Sequence, residues 1–347
     1  MAAASWLTSP LSPDDYLGLL DPLWSARHPS GRVTAVLREG PTAVTLVIRP
    51  GRGWKGHRAG QYLPVGVQID GVRHWRTYSI TSPPADPIAI TVTARPGGRV
   101  SSHLVHRTGP GSVLRLGPAQ GEFVLPRVLP DRLLFVTAGS GITPVMGLLR
   151  TLARSPGPVP HTVLLHSAPR PEECLFLAEL AALEARMAWL TTHLTYTRKE
   201  GRLSPDRLAA LCPDWRARDA WVCGPPGLLE AVERSWTAAG VRKRLRVESF
   251  RLAPFLPRES AVGGAPVLFG RSGVEADAGA SAPLLDVGEA AGVAMPYGCR
   301  RGICFGCLAP LAEGQVRDLR SGEVHGEPGA LIQTCVNTAA GRVVLDL

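Results

Sequence analysis

Four of the seven cysteines lie late in the chain, three of them in the run Pro296-Tyr297-Gly298-Cys299-Arg300-Arg301-Gly302-Ile303-Cys304-Phe305-Gly306-Cys307 and the fourth in Thr334-Cys335. The first three are spaced C-x₄-C-x₂-C, and the fourth stands 28 positions further on. That spacing suits four thiolates around a two-iron cluster: a tight loop turns three sulfurs inward and a remote segment closes the site. Gly298, Gly302 and Gly306 would let backbone amides approach the sulfurs. Structural zinc is the competing reading. Zinc sites usually show two short C-x₂₋₄-C knuckles rather than three cysteines plus one. Cys174, Cys212 and Cys223 stand alone.

A chain of 347 residues calls for two or three domains to position such a site. Residues 12–20 read as a short helix with Ser12 as N-cap and Pro13 in its first turn. Tyr16, Leu17, Leu20 and Trp24 are expected to pack this leader onto the next domain. From about 30 to 126, short β-rich runs alternate with turn residues (RVTAVLR, AVTLVIRP, QYLPVGVQI, RTYSIT, IAITVTAR, SVLRLG), which suggests a sandwich or small barrel. Near residue 130 the texture changes to strands alternating with helices, including a helix over 172–186, and this implies a parallel sheet. RLAPFLPRESAVGG, residues 251–264, is a plausible linker. The expected parts are therefore a leader (1–29), a β-rich domain (30–128), an α/β domain (129–250), the linker, and a small third domain (265–347).

The net charge of +9 invites a nucleic-acid reading, but only three of the 38 basic residues are lysine and the arginines are dispersed. Residues 265–347 carry six Arg and nine Asp/Glu, a net of −3, which leaves +12 for the rest. A negative module tied to a positive one fits docking between redox partners better than nucleic-acid binding. No apolar run reaches the 18 or so residues of a membrane span. The first twenty residues make a poor signal peptide, so the expected compartment is the cytoplasm.

The cysteine run resembles the plant-type ferredoxin domain, and the chain from residue 30 onward resembles the ferredoxin–NADP reductase superfamily with that ferredoxin fused at its C-terminus. The fold this implies is multidomain α/β plus β: an antiparallel flavin-binding β-barrel, a Rossmann-like NAD(P) domain and a β-grasp [2Fe–2S] domain. Cys299, Cys304, Cys307 and Cys335 are then the cluster ligands. Arg76-Thr77-Tyr78-Ser79 matches the superfamily's R-x-Y-S flavin signature. On a strand, residues 76 and 78 share a face. A guanidinium there can fork onto phosphate, and an aromatic ring two residues on can lie against an isoalloxazine. The resemblance further implies that Ser79 contacts the flavin near N5. Gly98 and Ser101 match the superfamily's G-x-x-S, a glycine turn into a helix N-terminus suited to pyrophosphate. FAD is the expected flavin, with FMN as the alternative.

Thr137-Ala138-Gly139-Ser140-Gly141-Ile142-Thr143-Pro144 lies between an apolar strand and a helix, and matches the superfamily's G-x-G-x-x-P. Gly139, Gly141, Thr143 and Pro144 are candidates for a nucleotide turn, since glycines let backbone N–H groups reach phosphate. The resemblance places Cys223 and Gly224, in the C-G-P-P turn, where nicotinamide meets flavin, and Phe250 beside the flavin. Cys223 is expected to be a buried strand-end cysteine rather than a nucleophile. Thr197-Arg198, with Arg202 close behind, resembles the pair that holds the 2′-phosphate in NADP-using relatives, so NADPH is favoured over NADH. These cofactors form one redox sequence, because a flavin can accept two electrons together and release them singly.

The acceptor is not written in the motifs. The leader and the domain order resemble reductases that serve membrane fatty-acyl desaturases, which makes such a desaturase the leading expectation, with peripheral contact at a membrane. Rieske oxygenases and cytochromes P450 are the alternatives, and a redox-sensing or scaffold protein is the reading from another class.

Overall fold

The computed structural model describes residues 13–26, 29–250, 265–279, 281–298, 300, 302 and 306–347. The predicted N-cap Ser12, the linker 251–264 and two of the candidate ligands, Cys299 and Cys304, lie outside the described residues. Contacts divide the chain into two compact units: Met1–Ile69 with Tyr78–Arg251, and Asp70–Thr77 with Leu252–Leu347.

Ahead of the α/β part, α1 (Pro13–Leu20) precedes six strands: β1 (Ser30–Arg38), β2 (Ala43–Pro50), β3 (Tyr62–Ile69), β4 (Val72–Ser79, of which only Tyr78 and Ser79 belong to the first unit), β5 (Ile88–Thr93) and β6 (Val113–Leu116). The sheet runs β4-β3-β6-β1-β2-β5, and an antiparallel bridge from Ile80 to Ile90 returns the exit of β4 to β5. Of sandwich and barrel, the closed form is therefore the one adopted. The bridge brings the two ends of the sheet together, and Val33, Leu46, Ile48, Leu63, Val65 and Ile90 are buried in its core. Helix α2 (Arg99–His106) adds Val100, Leu104 and Val105 to that core.

The leader does not pack as its apolar residues suggest. Tyr16, Leu20 and Trp24 stay 45%, 76% and 46% exposed. Polar contacts beyond the helix end anchor it instead: Asp14 accepts hydrogen bonds from Ser25 Oγ (2.6 Å) and the Ala26 amide (2.7 Å). Leu23 is buried, and its carbonyl accepts from the Arg52 amide at 2.9 Å.

The α/β part follows with β7 (Arg132–Ala138), α3 (Ile142–Leu152), β8 (His161–Ala168), α4 (Leu177–Arg186), β9 (Leu190–Tyr196), α5 (Thr197–Glu200), α6 (Pro205–Leu211), β10 (Asp219–Cys223), α7 (Pro226–Ala238) and β11 (Leu245–Glu248). Its five strands are parallel in the order β11-β10-β7-β8-β9. The winding reverses between β7 and β10, and a doubly wound sheet binds its ligand outside the strand ends at that point. The helix predicted over 172–186 begins only at Leu177. Pro171 opens a single 3₁₀ turn, and Phe176 then takes φ +59°, which breaks the helix and turns Leu175 and Phe176 into the core.

In the second unit, β12 (Ala265–Phe269), β13 (Val274–Ala278), α8 (Leu284–Ala290), β14 (Leu308–Glu313), β15 (Val316–Asp318), β16 (Val324–His325), β17 (Leu331–Gln333), β18 (Asn337–Ala339) and β19 (Val343–Leu345) form two sheets, ordered β13-β12-β19-β14-β17 and β16-β15-β18. Phe269, Leu284, Leu285, Leu311 and Val343 form the core between the larger sheet and α8, as a β-grasp requires. Among the described residues, no helix is long and apolar enough to cross a membrane.

Candidate nucleotide, flavin and cluster sites

The Gly139–Gly141 turn sits at the C-terminal end of β7, on the sheet's reversal point. Gly139 takes φ +54°, which glycine adopts without strain. At Gly141 the requirement is space, because a Cβ there would lie 2.2 Å from the Cys223 carbonyl oxygen. Two strand exits can thus touch only through glycine. Thr143 Oγ1 donates to the Ser140 carbonyl at 2.9 Å and closes the turn, while Pro144 stands in the first turn of α3, where its missing N–H costs nothing.

Around this turn opens a cavity of about 650 Å³, lined by Gly139, Gly141, Gly224 and Phe250 together with Arg95, Ser167, Thr197 and Arg202. Of the predicted nucleotide residues, Arg202 therefore faces the cavity. Arg198 is exposed and is not among the residues that line it. Two lining residues escape sequence reasoning. Arg95 arrives from the barrel part, and its only signal was a cation just before a Gly-Gly turn. The Ser167 hydroxyl is buried with no protein partner, as a group awaiting a ligand would be. The cavity fits a nicotinamide dinucleotide: glycine amides for phosphate, two cations and an orphan hydroxyl.

Cys223 is fully buried at the end of β10, and burial, reinforced by Glu248, pushes its thiol well above the usual range. A thiol so held stays protonated and is no nucleophile. Its contribution is the carbonyl that abuts Gly141. Beneath the cavity, His166 on β8 is also buried, with Nδ1 2.8 Å from Thr137 Oγ1. Burial pulls its pKa down to about 4, against a smaller opposing effect of the Thr137 contact.

On β4, Ser79 is buried and Tyr78 half-buried against the barrel core, while the Arg76 side chain is exposed, with Nη1 donating to the Trp75 carbonyl at 2.7 Å. A half-buried Tyr78 ring fits a flavin lying against the barrel. The Ser101 hydroxyl is engaged in its own turn, accepting from the Arg95 amide and donating to the Gly98 carbonyl, both at 3.1 Å. It shapes the turn that leads into the N-terminus of α2.

In the second unit, Cys307 and Cys335 bring their sulfurs to 3.2 Å, too far for a disulfide of about 2.05 Å. The Gly302 amide donates to Cys335 Sγ at 3.2 Å. Gly302 takes φ +66°, and a Cβ there would collide with Val336 at 2.7 Å. Two converging cysteine sulfurs outside any disulfide, with an amide aimed at one of them, fit an iron–sulfur site.

Matches to known families agree in chain order. Residues 54–125 match an oxidoreductase FAD-binding domain, 135–234 an oxidoreductase NAD-binding domain, and 269–339 a 2Fe-2S iron-sulfur cluster binding domain. An NADPH oxidoreductase of Mycobacterium tuberculosis is 47% identical over 99% of this chain and 91% of its own length. The chain belongs to the ferredoxin–NADP reductase superfamily, in the group with a C-terminal [2Fe–2S] domain. It is an NAD(P)H-dependent flavin and iron–sulfur oxidoreductase that uses FAD. The stachydrine N-demethylase reductase subunit of Rhizobium meliloti is 29% identical over 93% of this chain and 97% of that protein. A solved phthalate dioxygenase reductase shares the fold, with a TM-score of 0.58 at 22% identity, covering 92% of this chain and 98% of that one.

Proposed function

We propose that this chain is the reductase component of an oxygenase system, drawing on NADPH and delivering single electrons to a separate terminal oxygenase. The observation that carries the reading is the dinucleotide cavity at the sheet's reversal point, on the same chain as the paired thiols of Cys307 and Cys335. FAD, when bound, links a two-electron donor to a one-electron carrier. The chain's own residues bind and orient. Arg76 holds a flavin phosphate, Tyr78 lies against the ring system, Ser79 faces its reactive edge, and the Gly98–Ser101 turn presents amides to the pyrophosphate. Gly139, Gly141, Thr143 and Pro144 form the cradle for the nicotinamide dinucleotide. Gly224 and Phe250 bound its far wall, and the Cys223 carbonyl fixes the cradle's depth. Arg95 and Arg202 supply the cations that favour a 2′-phosphorylated coenzyme, with Arg198 further out. Cys299, Cys304, Cys307 and Cys335 hold the cluster. No acid–base pair is needed.

A glycine betaine monooxygenase reductase subunit of Pseudomonas aeruginosa, 27% identical over 83% of this chain and 87% of that protein, supports an oxygenase as acceptor, and the mycobacterial relative's name supports NADPH. The desaturase expectation rests on the leader and the domain order alone, and neither relative bears such a name. A panel of purified acceptors tests the reading. With NADPH, the protein should sustain turnover of a soluble oxygenase at a higher rate than that of desaturase-bearing membranes. Turnover with the membranes alone would reverse the assignment.

A further inference from the structure

Helix α3 starts at the nucleotide turn and runs back along the exit of the flavin strand β4, within the first compact unit. Two of its residues touch that exit directly. A Cβ at Gly147 would lie 2.7 Å from the Ile80 carbonyl oxygen, so only glycine lets the two backbones meet. One turn on, Arg150 Nη1 donates to the Thr81 carbonyl at 2.7 Å. The same guanidinium is gripped from α4: Nε and Nη2 donate to the two carboxylate oxygens of Glu179 at 2.7 and 2.6 Å. It also lies over the Phe176 ring, 5.2 Å from its centroid.

We propose that Arg150 is a positioning residue that sets the gap between nicotinamide and flavin. The proposal rests on the assignment of Tyr78 and Ser79 to the flavin and of the Gly139–Pro144 turn to the dinucleotide. A guanidinium held bidentately by Glu179 cannot swing, so its third bond fixes α3 against Thr81, two residues beyond Ser79. The Gly139–Gly141 turn leads directly into this helix, and β4 carries Tyr78 and Ser79 at its end. One bond therefore registers the two binding segments against each other. A displacement of about 1 Å at a reacting centre can cost on the order of a hundredfold in rate.

Arg150→Ala and Glu179→Gln holoenzymes test the proposal, the second keeping side-chain volume should the first fold poorly. The expected result separates rate from binding. FAD content and the dissociation constant for NADP⁺ should stay within about twofold of wild type, while flavin reduction at saturating NADPH falls about ten- to a hundredfold in Arg150→Ala. Glu179→Gln should lower it less, in the same direction. The charge-transfer absorbance of NADP⁺ with reduced flavin, which depends on ring separation, should weaken in parallel. An unchanged reduction rate with an unchanged charge-transfer band would overturn the proposal. So would loss of FAD or of NADP⁺ affinity large enough to account for the slower rate. Failure of the underlying flavin assignment would show separately, as full FAD retention in Arg76→Ala.

Discussion

The nucleotide cradle and the cluster loop are both glycine-rich, yet they are built in different ways. The cradle is set by the fold around it: β7 and β10 are buried on both faces, and their exits meet through Gly141 with no ligand needed to hold them. Around the cluster, the described residues supply one thiol pair, an amide from Gly302 and the ion pair of Arg320 with Asp318. When a cluster is bound, thiolate–metal bonds would add to these contacts. The first site is a property of the sheet; the second would be completed by its metal.

The sharpest way to break this contrast is to remove one ligand. Cys304→Ser should lose the cluster and nearly all cytochrome c reduction, yet keep NADPH-to-ferricyanide activity, because that activity uses only the cradle and the flavin. Equal loss of both activities would show that the two sites are not independent.

Acid probes the cradle's foundation. The pKa of His166 falls from 6.5 to about 4 on folding, chiefly through burial. Its folded value is depressed, so the unfolded chain takes up a proton that the native chain refuses between those limits. Stability is then complete above about pH 6.5 and is lost as pH falls toward about 4, by about 3 kcal/mol over the full interval. Thermal midpoints measured across this range should drop less in His166→Gln than in wild type.

Coenzyme choice sharpens the account of the cavity walls. Arg202→Ala should weaken NADPH by about 1.5–3 kcal/mol, roughly ten- to a hundredfold in KM, with little effect on NADH. Arg198→Ala should do less, because that side chain is exposed and outside the cavity. Steady-state kinetics with both coenzymes decide the ranking. Gly141→Ala should cost about 1–3 kcal/mol of stability or more, because backbone atoms stand where its methyl group would lie. Its single methyl group must push the Cys223 carbonyl aside, so NADP⁺ affinity should fall along with the melting temperature.

What sequence could show follows from the same contrast. Strand alternation, the glycine turn at 139–141 and the cysteine spacing are local patterns, and each was legible because one short segment carries it. Arg95 was not legible, because it reaches the cavity from a different part of the chain from the turn it faces. The roles of Arg198 and Arg202 could not be ranked, since spacing along the chain does not say which of the two reaches the cavity. The apolar residues of the leader misled for a related reason. Leu23 and the Asp14 bonds provide the anchor and leave Tyr16, Leu20 and Trp24 outside.

The central claim is one electron route on one chain, from NADPH through FAD to the cluster. It is tested most directly by adding NADPH anaerobically, without acceptor, and freezing samples for electron paramagnetic resonance. Wild type should develop the signal of a reduced [2Fe–2S] cluster. Flavin-free Arg76→Ala protein should show none with NADPH, yet the full signal with dithionite. A reduced-cluster signal from NADPH in the flavin-free protein would contradict the account.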